Sequence, residues 1–175
     1  MVRQLNKKNI IALTGTPGTG KSGAAEILKK KGFAVIELNS EIKKRKLYSV
    51  YDRKRKTYVA DMKKVEKFLK KELKSEKYKS KTAIMDSHLS HLLPSSIVNT
   101  AIVLRCKPAV LEKRLKRKGW NAEKIRENVE SEIIGLIEYE ARKKHGKVFV
   151  IDSTRLAAEQ VARKIKKQMT KVFKP

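Results

Sequence analysis

Residues 15–22 read Gly15-Thr16-Pro17-Gly18-Thr19-Gly20-Lys21-Ser22, and this stretch decides the fold. It fits the spacing G-x-x-x-x-G-K-[ST] without a gap. Glycine at 15, 18 and 20 lets the backbone curl until its N–H groups point inward at phosphate oxygens. Lys21 then reaches the β and γ phosphates of a nucleotide, and the Ser22 hydroxyl is placed to hold Mg²⁺. The flanks agree with this reading. Residues 9–13 form a short apolar run suited to a strand, and residues 21–31 are a helical stretch. A helix starting there adds roughly half a positive charge at the same point. A glycine-rich turn of chance spacing would lack both flanks.

Outward from the loop, short apolar runs alternate with helical patterns. Strands are expected at 9–13, 33–38, 82–86, 100–105 and 147–151, each mostly β-branched or aromatic and bounded by polar residues or glycine. Met62, Val65, Leu69 and Leu73 recur at steps of three and four. So do Ile125, Val129, Ile133 and Leu136, and later Val161, Ile165 and Met169. Pro108 suits the first turn of a helix running to about residue 118. Asn121 and Ser153 suit the N-caps of the two long helices that follow. The pattern specifies an α/β protein, a P-loop NTPase with a five-stranded parallel sheet and helices on both faces. Ligands of such sheets bind beyond the carboxyl ends of the strands. With 175 residues and no linker or repeat, a single domain over 1–175 is expected.

A P-loop enzyme needs an acid near Mg²⁺, usually at the end of another strand. Asp86 closes the run 82–86 and takes that place. His88 lies two residues on, and in an extended segment the two side chains would point the same way, toward the phosphates. There His88 would orient a water or donate to a phosphate. His91 reads as structural or exposed, and His145 as a helix-end dipole partner or solvated. The three histidines have no acidic neighbours at ligand spacing, so they make no metal cage. The single cysteine, Cys106, excludes an internal disulfide and a cysteine-built zinc site and reads as a small buried hydrophobe.

Charge points to a partner. Forty-four Lys and Arg face eighteen Asp and Glu, a net +26. Most cations therefore lack an acidic partner, which is the footprint of a polyanion, RNA first among them. A solvated lysine-rich surface is the alternative. Lys43, Lys44, Arg45, Lys46, Arg53, Lys54, Arg55 and Lys56 cluster with Tyr48, Tyr51 and Tyr58 interleaved, a mixture suited to phosphate contact plus base stacking. Lys113, Arg114, Lys116, Arg117 and Lys118 form a second cluster. It ends at Gly119-Trp120, as a helix C-terminus and hinge would. Mobile cations of this kind neutralise charge that develops on a transferred phosphoryl group. Every apolar run is far shorter than the ~20 residues a membrane helix needs, and the one near the start, 10–13, is too short for a signal peptide. A soluble cytoplasmic protein is expected.

Taken together, residues 15–22, Asp86-Ser87-His88, Ile102-Val103-Leu104-Arg105 and Arg114-Leu115 with Gly119-Trp120-Asn121 and Glu123-Lys124 resemble the adenylate kinase isoenzyme six family, also called the coilin-interacting nuclear ATPases. The resemblance covers about residues 9–170. It implies an adenylate-kinase-like fold with a short lid at about 117–127 and a nucleoside-monophosphate segment at about 37–60. It implies ATP with Mg²⁺, and both adenylate kinase and ATPase activity. By position it assigns phosphate contacts to Gly15, Gly18, Gly20, Lys21, Ser22 and Gly23. Metal binding falls to Ser22 and Asp86, and catalytic roles to Lys21, Asp86, His88 and Lys118. Lys118, with Arg117 adjoining, stands where relatives have a lid arginine, and Arg155 matches a residue beside the adenine. Family members serve small-ribosomal-subunit maturation, which implies a platform ribosomal protein and rRNA as partners.

Two functions follow, an ATP-dependent kinase acting on AMP or another monophosphate and an ATP-driven factor that remodels a ribosomal protein–rRNA complex. A GTPase switch would need an Asn-Lys-x-Asp segment, which the sequence lacks. A small-metabolite kinase related to shikimate kinase is the remaining competitor.

Overall fold

The structure, a computed structural model, describes residues 9–53, 55, 57–78 and 82–173. Lys54 and Lys56 of the first basic cluster and the opening residues 1–8 lie outside the described residues.

The first strand, β1 (Ile10–Thr14), is buried along its whole length. It hands the chain through the glycine-rich loop to α1 (Lys21–Lys30). Then come β2 (Ala34–Glu37), α2 (Leu38–Lys44), β3 (Tyr48–Asp52), β4 (Thr57–Ala60), α3 (Met62–Glu72), β5 (Ala83–Asp86) and β6 (Thr100–Arg105). After them follow α4 (Pro108–Arg117), α5 (Ala122–Ile134), α6 (Leu136–Lys144), β7 (Val148–Asp152) and α7 (Ala158–Val172). Five strands form one parallel sheet in the order β2-β5-β1-β6-β7. β1 is central, so its carboxyl end lies where the strand order switches direction, the place such sheets bind ligands.

Alternation along β1 sorts the core into two layers. Ile10 and Ala12 face α2, α3 and α6, meeting Leu38, Val65, Leu69 and Ala141. Ile11 and Leu13 face α1 and α7, meeting Leu28, Val161 and Ile165. A smaller cluster of Leu111, Leu115 and Ile125 joins α4 to α5. The expected strands and the doubly covered parallel sheet are present, with bounds shifted by a residue or two.

Four details differ from the sequence reading. Residue 38 starts α2 instead of ending a strand. β3 and β4 pair antiparallel as a hairpin, a second small sheet where only a basic segment was expected. Its Val and Tyr residues carry an ordinary strand signal that the surrounding charge obscures. Ser153 caps no helix; α7 begins after Ala157, whose N–H donates to Gln160 Oε1. Asn121 does cap α5, accepting from the Lys124 N–H.

The fourth difference is a break. The stripe running through Ile133 and Leu136 predicts one continuous helix, but α5 ends at Ile134 and α6 begins at Leu136, leaving Ile133 exposed. Gly135 sits between them at φ +68°. A Cβ there would stand 3.0 Å from Arg105 Nη1, so the kink wraps around the Arg105 guanidinium. Gly135→Ala is expected to lower stability by about 1–2 kcal/mol through the left-handed backbone alone. Gly135→Asn should cost less, and urea denaturation reads the difference. Equal stability of all three proteins would mean that the kink is not held where Arg105 requires it.

Candidate phosphoryl-transfer site

The loop between β1 and α1 is pressed against β6. Gly15 has φ +136°, and a Cβ there would lie 2.3 Å from the Leu104 carbonyl oxygen, so no other residue fits. Thr19 closes the turn by donating from its hydroxyl to Thr16 O at 2.8 Å. The Lys21 ammonium lies inside the curl and donates to Gly15 O at 2.6 Å and Thr16 O at 3.0 Å. Only 7% of this lysine is exposed. Burial pushes its pKa down to about 8, against the pull of Asp86 and Glu132 and with a further push from Lys118. A cation held at such a disadvantage is a strong attractor for an incoming anion.

Asp86 ends β5, level with Leu13 of β1. Burial raises its carboxyl above the usual range, opposed by a hydrogen bond from the Ser22 hydroxyl and by the Lys21 charge. Ser22 and Asp86 thus meet at the mouth of the loop, a pair of hard oxygen donors. Mg²⁺ in nucleotide sites characteristically takes one or two protein oxygens and completes its shell with phosphates and water. The pair fits such an ion.

His88 faces the same cavity as Asp86, but from a turn and not from the extended segment that the two-residue argument assumed. Burial, Lys21, His91 and Lys124 lower its pKa to about 4, so the imidazole is neutral at physiological pH.

These groups line one wall of a cavity of about 1290 Å³. The opposite wall is the hairpin and α2, with Arg55, Tyr58 and Lys43, while Lys118 and α5 close one side. Arg55 of the hairpin reaches Glu127 of α5 at 3.3 Å. A smaller cavity of about 370 Å³ lies behind Gly18 and Gly20, lined by Arg117, Leu156 and Val161 among others. Lys118 and Gly23 border both cavities, whereas Arg117 borders only the smaller. Arg155 borders neither; its neighbour Leu156 takes that position. Gly15 shapes the loop from behind without lining either space.

Several residues of the site escape sequence reasoning because their partners are distant in the chain. The Ser153 hydroxyl lies 2.7 Å from Thr19 O and 2.9 Å from Arg105 O. Arg114 donates to Ser153 O at 3.0 Å and Thr154 O at 3.2 Å, and approaches Gly18 O at 3.5 Å. Arg114 is therefore a brace of the phosphate loop, and it also lines the smaller cavity. Lys116 of the second basic cluster pairs with Glu112. Glu132, 2% exposed, accepts from Thr16 Oγ1. It falls at the spacing of Ile125 and Val129, an acid on an apolar stripe, and that oddity was the available signal.

The other histidines are structural. His91 Nδ1 lies 2.9 Å from Thr14 Oγ1 and its Nε2 2.9 Å from Glu140. His145 is buried, not solvated, with Nε2 2.8 Å from His91 O. On the hairpin, the Tyr58 ring lies 4.3 Å from Tyr48 and 4.9 Å from Tyr51. Tyr48 leans on the core, while Tyr51 and Tyr58 are exposed. No helix among the described residues is long and apolar enough to cross a membrane.

A parallel sheet whose central strand feeds a glycine-rich loop and helix, with an acid at the end of the neighbouring strand, defines the P-loop phosphotransferases. Residues 11–135 match the AAA domain family. Among solved structures, shikimate kinase from Acinetobacter baumannii superposes with a TM-score of 0.66 over 97% of both chains. A shikimate kinase from Bacteroides thetaiotaomicron gives 0.60 over 92% of this chain and 98% of its own. Both share the fold alone, at 12% and 14% identity. Sequence likeness runs to archaeal proteins that carry the name "Putative adenylate kinase". The one from Methanosarcina acetivorans is 43% identical over 162 residues, covering 90% of this chain and 84% of its own. That of Methanocaldococcus jannaschii is 38% identical over 156 residues, covering 89% and 82%. The chain belongs to this archaeal adenylate kinase family and is an enzyme of the phosphotransferase class.

All three histidines sit below the ordinary value of 6.5, burial being the largest cause in each. Between about pH 6.5 and the folded-state value, the unfolded chain binds more protons than the folded one, so stability falls as the solution is acidified. Urea midpoints are expected to decline between about pH 6.5 and about pH 5. His88→Gln should make that decline shallower; an unchanged slope would place His88 in water.

Proposed function

We propose that the chain transfers the terminal phosphoryl group of ATP to a nucleoside monophosphate, AMP first among them, and hydrolyses ATP when no acceptor is bound. The observation that carries this reading is the cavity itself. At about 1290 Å³ it exceeds the ~300–1,000 Å³ usual for one small ligand, and it has a phosphate loop on one wall and a basic hairpin on the other. Segment 37–60 receives the monophosphate, with Lys43 and Arg55 available to its phosphate, and segment 117–127 acts as the lid.

In this reading the loop N–H groups of Gly18, Gly20 and Gly23 and the Lys21 ammonium bind the ATP phosphates. Lys118 balances charge as the γ phosphoryl group moves. Ser22 and Asp86 would hold Mg²⁺, which when bound screens the phosphate oxygens and polarises the phosphoryl group. His88, uncharged at neutral pH, is suited to accept a hydrogen bond from the attacking water and so to orient it. Arg155 lies away from the cavities, so any role beside the adenine would need the segment around it to move.

Incubation with Mg-ATP, with and without AMP, and separate quantification of ADP and free phosphate tests the proposal. ADP without phosphate in the presence of AMP is expected, and stoichiometric phosphate in its absence. ADP no greater than phosphate in both arms would leave an ATPase and remove the kinase. Lys21→Ala is expected to lower both activities by about 10²–10³-fold. His88→Ala should lower kcat for hydrolysis by about 10²-fold with little change in KM. A raised KM with unchanged kcat would make His88 a ground-state ligand.

The same proposal extends to small-ribosomal-subunit maturation, with a platform ribosomal protein and rRNA as partners. Its support is the net +26 and the hairpin, which exposes Tyr51 and Tyr58 beside Arg53 and Arg55. About five phosphate contacts would give a log–log salt slope near −4, at roughly 0.7–0.9 per contact. Arg53→Glu with Arg55→Glu should flatten it, and excess AMP should weaken binding because Arg55 also lines the cleft. A salt-independent affinity would return the charge to ordinary surface solvation.

A further inference from the structure

The carboxylate of Glu132 is the most deeply enclosed acid bordering the site, and none of the steps above uses it. Taking a carboxylate out of water is costly unless its oxygens find donors. Here three donors come from two places, the end of β6 and the phosphate loop. Arg105 Nε and the Cys106 N–H each donate to Oε1 at 2.8 Å. The Thr16 hydroxyl donates to Oε2 at 2.5 Å. Arg105 in turn returns a bond from Nη2 to the Glu132 carbonyl at 2.7 Å and reaches Glu138 with Nη1 at 2.9 Å.

This arrangement does more than hold α5 in place, which Ile125 packed with Leu111 and Leu115 of α4 already does. Oε1 is spent on the end of β6, while Oε2 faces the phosphate loop alone. Thr16, its partner there, offers its carbonyl to the Lys21 ammonium at 3.0 Å and to the Thr19 hydroxyl at 2.8 Å. Glu132, Thr16 and Lys21 thus form a chain from α5, the helix that closes the side of the cleft, into the centre of the loop.

We propose that Glu132 is a positioning residue that fixes Thr16 in the phosphate loop and steadies the Lys21 ammonium from behind until a nucleotide phosphate replaces that support. The proposal rests on the phosphoryl-transfer reading. The groups facing Lys21 are Asp86 from β5, Lys118 just after α4, Glu132 from α5 and His88 from the turn after β5. Asp86 and Glu132 favour the charged lysine; burial and Lys118 oppose it. Glu132 is the acid of the two that would not also hold Mg²⁺.

Three variants separate geometry from charge. Glu132→Gln keeps the shape and a hydrogen bond to Thr16 but removes the charge. Thr16→Val removes the link and keeps the charge, and Thr16→Ser restores the hydroxyl. The first readout is amide hydrogen exchange of the phosphate loop in the nucleotide-free protein, which should quicken by about tenfold in Thr16→Val, by less in Glu132→Gln, and return toward the parent rate in Thr16→Ser. The second is the split between kcat and KM for ATP. Thr16→Val should lower kcat about tenfold with KM little changed, and Thr16→Ser should recover most of it.

Parent exchange rates in the loop of Thr16→Val, or parent kcat in that variant, overturn the proposal. Should Glu132→Gln fail to fold, the Thr16→Val and Thr16→Ser pair still decides it. If the parent protein makes no ADP, the phosphoryl-transfer reading fails instead, and the nucleotide-free exchange measurement still tests Glu132.

Discussion

An ammonium group sealed inside a curl of backbone is the constraint from which the rest of this structure follows. Lys21 has exchanged bulk water for two carbonyl oxygens, Gly15 O and Thr16 O. A charge so placed is tolerable only if the curl keeps its shape, because a carbonyl that drifts away is not replaced by solvent. The loop is accordingly tied at each bend: Thr16 to Glu132, Gly18 to Arg114, Thr19 to Ser153. The ties come from α5, α4 and the turn after β7. Elements remote in sequence thereby converge on eight residues, and the sheet order that puts β1 in the centre makes the convergence possible.

The arrangement also divides labour among the cations. Some are structural: Arg105 is wrapped by the α5–α6 kink, and Arg114 braces the backbone of the loop while also lining the smaller cavity. Others, such as Lys118, Lys43 and Arg55, border open space. Net charge treats all of these alike. The structure shows that the basic stretch ending at Lys118 mixes scaffold, in Arg114, with cavity wall, in Arg117 and Lys118, whereas the hairpin exposes Arg53 and Arg55 with two tyrosines.

Much of this was legible in the chain. The phosphate loop is a local motif whose geometry is dictated by its own glycines, and its strand and helix flanks are contiguous with it. The alternation of strands and helices gave the sheet for the same reason, since each element announces itself within a window of a few residues. Asp86 was findable because a strand end is a local feature. What stayed hidden depends on contacts across the sheet. Ser153 looks like a helix cap by spacing and is instead a strut between Thr19 and Arg105. Glu132 reads as one more acid on a helix until Thr16, more than a hundred residues away, is seen beside it. The break at Gly135 was masked because the apolar stripe runs on through Ile133, and only the position of Arg105 explains why the helix turns there. The β3–β4 hairpin was masked differently, by charge that drew the reading toward a ligand and away from its strand-forming residues.

The contact between Arg55 and Glu127 joins the hairpin to α5 across the mouth of the cleft. Both side chains are substantially solvated, and exposed pairs of this kind contribute about 0–1 kcal/mol. Such a fastening is comparable with thermal energy, so the mouth is latched without being locked. Its strength is set by ionic strength, because mobile ions compete directly with the pair. The tie between the hairpin and α5 therefore has its own electrolyte dependence, separate from any effect on how firmly the cavity holds an anion.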